Sequence, residues 1–276
     1  MHVTSRSLRL ICSSGLAVGL SLTFAVSAGA QTAAQRTCPN EGQAPILGTA
    51  IGDTINGTPA ADRILSGDGD DVVNALQGND CVRGGNGFDE LQGGGGADAL
   101  FGEAGPDDLT GGADGDRLLG GDGFDFLSGA LGDDVLFGQD GPDDINGGRG
   151  ADKLYGGEGV DFLEGGLGRD DLRGGDQSDR LSGGDGADTI RGNDGNDRLA
   201  GGLDGDTLIG GAGNDKIDGG DGRNRYSGGS GNDVIDAANG SVERINCGRG
   251  RDTVRADGRD RLRGCERVFR LQLTRR

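Results

Sequence analysis

The sequence predicts an all-β fold: a parallel β-helix solenoid of about 21 nine-residue repeats with disulfide-stapled ends. Three observations carry that expectation. From Gly48 to Asp236 the chain repeats every nine residues without insertion or deletion; twenty of the 21 units hold Asp at the sixth position, and all hold an apolar or aromatic residue at the eighth. The 276 residues include 62 glycines, no Trp and only 4% aromatics, too little apolar volume for an ordinary close-packed core. A fixed short period resolves the difficulty, because stacked coils bury a thin apolar line between neighbours.

The elements follow in chain order. Residues 1–30 read as a cleavable signal peptide: Arg6 and Arg9 precede an apolar run from Leu10 to Val26, and Ala28-Gly29-Ala30 supplies a small-x-small cleavage site. The chain is therefore expected to be secreted, extracellular and free of the membrane once the leader is removed. Residues 31–47, too short for a domain, are expected to form an N-terminal cap. Residues 48–236 are the repeats, and 237–276 an Arg-rich C-terminal cap that shields the last coil. In that cap Arg259, Arg261 and Arg263 could pair with acids of the terminal coils.

Within a unit such as GGRGADKLY (147–155), GGEGVDFLE (156–164) or GGAGNDKID (210–218), positions one to six predict a turn and seven to nine a short strand. Glycines at positions one, two and four permit positive φ and close backbone approach. The eighth residue points inward and its flanks outward, because side chains alternate along a strand. Two units make one coil, so about ten coils at roughly 4.8 Å each give a rod on the order of 50 Å.

Charge is concentrated in the repeats. Residues 48–236 hold 40 acidic against 13 basic residues, a net of −27, whereas 237–276 hold 11 Arg against five acids. Stacking places each sixth-position Asp over the one two units away, and such columns repel unless cations neutralise them. The candidate ligands are Asp53, Asp62, Asp71, Asp80, Asp89, Asp98, Asp107, Asp116, Asp125, Asp134, Asp143, Asp152, Asp161, Asp170, Asp179, Asp188, Asp197, Asp206, Asp215 and Asp233. Calcium suits them, since it takes six to eight oxygens at about 2.3–2.6 Å and accepts backbone carbonyls beside carboxylates. Turn capping alone would tolerate Ser or Asn freely, yet only Asn224 replaces Asp. Zinc and copper are poorly served, because the one histidine is His2. Asp114, Gln177 and Asp204 replace the fourth-position glycine, and Ile51 and Ala60 mark the first two units as degenerate, as expected of terminal repeats.

Cys38, Cys81, Cys247 and Cys265 are the cysteines after the leader, and an even count in an exported chain reads as disulfides with three open pairings. Cys247 and Cys265 are two nonapeptides apart, one full coil. That spacing puts them one above the other at about 4.8 Å, within the usual Cα separation of about 4.4–6.8 Å. Cys38 with Cys81 would then staple the other end.

The nonapeptides resemble those of the RTX, or hemolysin-type, calcium-binding family, over about two thirds of the chain. The resemblance implies a parallel β-roll with calcium held between the turns of units i and i+2, by the sixth-position Asp side chains and by backbone oxygens of the glycine turns. The chain differs from that family in having an N-terminal signal, where RTX exoproteins use a C-terminal one. It also lacks an appended protease, lipase or toxin domain.

Enzyme signatures are absent. The lone His2 excludes Ser-His-Asp and Cys-His chemistry in the mature chain; there is no GxSxG, P-loop or EF-hand loop. Paired carboxylates abound, but calcium-loaded carboxylates are poor acids and bases, and aromatics to stack a sugar are scarce. The expected function is a secreted calcium-binding β-roll with a structural or surface role. The alternatives are an adhesin or matrix protein binding polysaccharide or cells, and a polysaccharide-modifying enzyme. Varied outward positions argue against a regular lectin surface. Nucleic acid is not an expected partner beside so acidic a rod.

Overall fold

One inward side chain per nonapeptide sets the architecture. In the computed structural model, which describes Cys38 and residues 42–271, successive units fall on opposite sides of a narrow rod. The leader expected at 1–30 and most of the cap expected at 31–47 lie outside the described residues. Twenty-six strands, from β1 (Ile46–Leu47) to β26 (Arg267–Leu271), divide into two 13-stranded parallel sheets, odd strands in one and even in the other. Each strand pairs with the strand two ahead, so through the regular repeats every residue faces its counterpart two nonapeptides on. In this register β13 (Lys153–Glu158) pairs with β15 (Asp171–Asp176), Lys153 opposite Asp171.

The strands are longer than the sequence pattern predicts. A central strand spans six residues, positions seven to nine plus the first three of the next unit, so the turn shrinks to positions four to six. The reason lies in the glycine pair. Gly156 faces inward with no side chain to place, and Gly157 takes φ +130° yet still pairs with Gly175. The ladder continues through residues that look like turn.

The roll also has more coils than the ten or so expected from 21 repeats: 13 in all, a rod of about 60 Å at roughly 4.8 Å each. The excess comes from the segments read as caps. Beyond β1, the Arg-rich segment contributes β23 (Arg244–Arg249), β24 (Thr253–Asp257), β25 (Arg261–Arg263) and β26. Their registers depart from the two-nonapeptide step: Arg225 faces Arg244, one residue late, while Arg244 faces Arg261 and Thr253 faces Arg267, both early. The turns change length while Ile245 and Val254 still fill the inward position. The edge strands β25 and β26 carry arginines, a charge that discourages pairing with another chain.

Leu100, Leu118, Leu136, Leu154 and Leu172 line one side of the core, facing Leu91, Leu109, Ile145 and Leu163, all with no solvent exposure. Burying each stabilises by about 1.5–3 kcal/mol. The disulfides are Cys38–Cys81 and Cys247–Cys265, with Cα atoms 5.5 and 5.2 Å apart. The first ties Cys38 to the outer face of a sheet, in a buried cluster with Ala99, Phe101 and Leu119. The second joins neighbouring coils as expected, but not by the two-unit step: the local register sets Asn246 opposite Arg263, 17 residues on, so Cys265 lies one residue beyond the position facing Cys247.

Candidate metal centre

The Asp residues sit where each turn delivers the chain into the next strand, and they form two columns along the rod. One runs Asp62, Asp80, Asp98, Asp116, Asp134, Asp152, Asp170, Asp188, Asp206; the other runs from Asp53 and Asp71 through Asp89, Asp107, Asp125, Asp143, Asp161, Asp179, Asp197 and Asp215 to Asp233. Within each column the backbone N–H of one Asp donates to Oδ1 of the Asp one coil on. Asp134 N–H to Asp152 is 2.8 Å and Asp161 N–H to Asp179 is 2.9 Å. Thus Oδ1 has a structural role: it registers the coils.

Oδ2 is different. From Asp71 to Asp233 every sixth-position Asp is buried, and its Oδ2 has no hydrogen-bond partner. The atom lies against the first-position glycine of its own turn. A Cβ built on Gly147 would stand 2.6 Å from Asp152 Oδ2 and 2.6 Å from the Gly165 carbonyl oxygen of the next coil. The glycine is required because carboxylate and carbonyl oxygens converge there. Leaving a buried carboxylate oxygen without a donor is costly, a cost that recurs along both columns and that a proton or a cation would offset.

Burial, reinforced by repulsion from column neighbours, pushes the carboxyls far above the usual range. Asp107, Asp116, Asp143 and Asp179 rise to about 8, and Asp152 and Asp188 to about 7. The peptide N–H from the preceding coil opposes this shift without cancelling it.

Three places show the protein itself supplying the missing donor. Thr49 gives both N–H (2.6 Å) and Oγ1 (2.8 Å) to Asp53 Oδ2, and Thr58 does the same for Asp62 at 2.6 and 2.9 Å. At Asn224 the Nδ2 replaces Oδ2 beside Gly219 and donates to the Gly219 carbonyl at 3.0 Å. At these three units hydroxyl, peptide or amide hydrogens fill the position that is left without a donor elsewhere.

Among the described residues no three acidic, His or Cys side chains converge on one point. A cation here would take one or two carboxylates and complete its shell from turn carbonyls. That donor set is all oxygen and partly neutral, which fits calcium and is poor for transition metals.

The columns extend beyond the expected residues. Asp233 N–H donates to Asp252, and Asp252 N–H to Glu266; Asn224 N–H donates to Glu243, and Glu243 N–H to Asp260. Asp252 Oδ2 and Glu243 Oε2 are also orphaned. Asp252 was readable in the repeat-like segment CGRGRDTVR (247–255), one residue out of phase with the preceding units; the other three are hidden by the changes in turn length. The ion pairs expected of Arg259, Arg261 and Arg263 do not form among the described residues, whereas Arg255 pairs with Asp236.

A family model described as RTX calcium-binding nonapeptide repeat (4 copies) matches residues 47–82, 78–109, 110–145, 137–172, 173–208 and 201–235. No curated protein matches the chain.

Proposed function

Because the chain belongs to the RTX calcium-binding nonapeptide-repeat family, we propose that calcium bound along both Asp columns is what folds this roll, and that the product is a secreted structural rod. The single observation behind the reading is the series of orphaned Oδ2 atoms from Asp71 to Asp233, interrupted only at Asn224. The sites exist only once the coils stack, so their binding free energy is folding free energy. Sites of extracellular modules work at about 10⁻⁴–10⁻³ M calcium, which would hold the chain unfolded in a calcium-poor cytosol and fold it outside. The apolar leader at residues 10–26 supports export. Asp side chains committed to cation and register are unavailable as acid–base catalysts, which favours a non-catalytic rod.

Circular dichroism of the metal-stripped chain tests this. We expect disorder in EGTA and a cooperative rise of β signal in millimolar calcium. The same β signal in both would overturn the proposal.

A further inference from the structure

We propose that the outer face of the even-numbered sheet carries a binding groove for a linear acidic polysaccharide, centred on Arg180, Arg198 and Lys216. The groove, about 470 Å³, opens across β14 (Phe162–Leu167), β16 (Arg180–Asp185), β18 (Arg198–Leu203), β20 (Lys216–Gly220) and β22 (Val234–Ala237). Phe162, Arg180, Arg198 and Lys216 stand directly opposite one another on successive strands. The three cations therefore form one straight row at the strand spacing of about 4.8 Å.

That row is unfavourable by itself. Like charges directly opposite across strands destabilise a sheet, and all three side chains are exposed with no ion pair among the described residues. Some outward arginines elsewhere are paired. Arg173 and Arg191 on the other sheet both clasp Asp171, and Arg83 holds Glu103. A second such row, Arg225, Arg244 and Arg261, lies on the other sheet, but only the Arg180 row has an aromatic ring at its end; an anion laid along it would relieve the repulsion.

The rest of the groove says what kind of anion. The parallel column reads Glu164, Ser182, Ala200, Asp218, so beside the cations the floor is small and its two ends offer carboxylate acceptors. The Phe162 ring lies at one end under the Arg180 guanidinium, 5.5 Å from its centroid, a flat apolar surface for a sugar face. A hydroxylated chain with widely spaced acidic groups uses all three features. Nucleic acid, dense in charge and without many hydroxyl donors, would be repelled by Glu164, Asp218 and the acidic rod.

The groove forms only in the folded roll, so the test runs in calcium just above the folding midpoint. Binding of the full chain is measured by calorimetry against hyaluronate (carboxylate), keratan sulfate (sulfate), neutral dextran and single-stranded DNA. We expect binding to at least one of the two acidic glycans and none to dextran or DNA. Replacing Arg180, Arg198 and Lys216 together by Ala should weaken it about tenfold, with a reduced salt dependence. The matched triple Arg225→Ala, Arg244→Ala, Arg261→Ala, on the opposite sheet, should leave it unchanged. Retained β signal in calcium certifies that both triples fold. No glycan binding, equal loss in the two triples, or equal binding of DNA would overturn the groove. Circular dichroism judges the calcium reading separately.

Discussion

The first coil and the middle coils solve the same problem in opposite ways. At Asp53 and Asp62 a threonine one residue past the first glycine donates its N–H and hydroxyl to Oδ2. At Asp134, Asp143, Asp152 and Asp161 nothing donates, and the carboxyl of Asp143 is raised to about 8 by burial. The difference locates the calcium requirement. A solenoid end has a neighbour on one side only, so a metal shared between coils gains least there, and a hydroxyl serves. In the next unit the Ser66 hydroxyl is shared between the Arg83 and Gly84 carbonyls at 2.9 Å, and Asp71 Oδ2 is already orphaned. The N-terminal end is a hydrogen-bonded start, and under the proposed function the metal-dependent coils stack onto it.

Mutating the middle should therefore move the calcium dependence the most. Asp152→Ala or Asp161→Ala deletes a column ligand and an acceptor for the preceding N–H; a loss of about 3 kcal/mol in calcium is expected, with a higher calcium midpoint and lower cooperativity. Calcium titrations followed by circular dichroism read all three. If Asp53→Ala were equally harmful, the contrast between end and middle would be wrong.

The disulfides test the ends without touching the columns. Cys247–Cys265 closes a sequence separation of 18 and Cys38–Cys81 one of 43. Replacing either pair by Ala should cost about 3–4 kcal/mol, slightly more for the longer loop. Thermal unfolding in saturating calcium should show the loss, with the bound calcium count unchanged. A fall in that count would mean that the ends organise the middle sites.

Proton binding separates the regions again. A column Asp binds its proton more tightly in the metal-free roll than in the unfolded chain, so the folded state holds more protons between about pH 4 and 8. Stability of the metal-free roll is thus highest in acid and falls as pH rises through 6 to 8. Acid should partly replace calcium: metal-stripped protein is expected to show more β signal at pH 5 than at pH 8, while in calcium the protons compete and raise the midpoint. A metal-free β signal rising with pH would contradict the burial of the columns.

Much of this was legible in the sequence, for a physical reason. Strict nine-residue phasing fixes side-chain direction, so the solenoid, the inward apolar line and the Asp columns all follow from it; the Cys247–Cys265 pair forms as expected although the step there is 17 residues. Length and chemistry at the ends were less legible. Glu243, Asp260 and Glu266 continue the columns at sequence separations of 19, 17 and 14, outside any fixed phase. The hydrogen-bonding role of Thr49 and Thr58 depends on a hydroxyl replacing a glycine that looked merely degenerate. The unpaired row of Arg180, Arg198 and Lys216 is visible only when alternate units are read across strands rather than along them.

Asn224 offers a smaller test, at a natural boundary between the two solutions. Its amide donates to the Gly219 carbonyl, and Tyr226 and Glu243 lie beside it. Asn224→Asp would put an orphan oxygen where a donor stood, at a cost of about 1–3 kcal/mol without metal. The expected outcome is one more bound calcium by equilibrium dialysis. An unchanged count with lower stability would show that carbonyls and carboxylate do not suffice there.

The smallest effect belongs to the first coil. Thr49→Val with Thr58→Val removes two exposed hydroxyl donors but leaves the backbone N–H groups on Asp53 and Asp62. Each lost hydrogen bond should cost no more than about 1 kcal/mol, and less where water can replace it. The calcium midpoint should hardly move, because no metal is shared at these units. If the hydroxyls stand in for a cation, removing them opens that position, and the double variant gains calcium sites instead of losing stability. Dialysis against labelled calcium distinguishes the outcomes. An unchanged count with a small stability loss would make Thr49 and Thr58 simple caps, whereas a higher count would show that the end coil is a metal site closed by its own side chains.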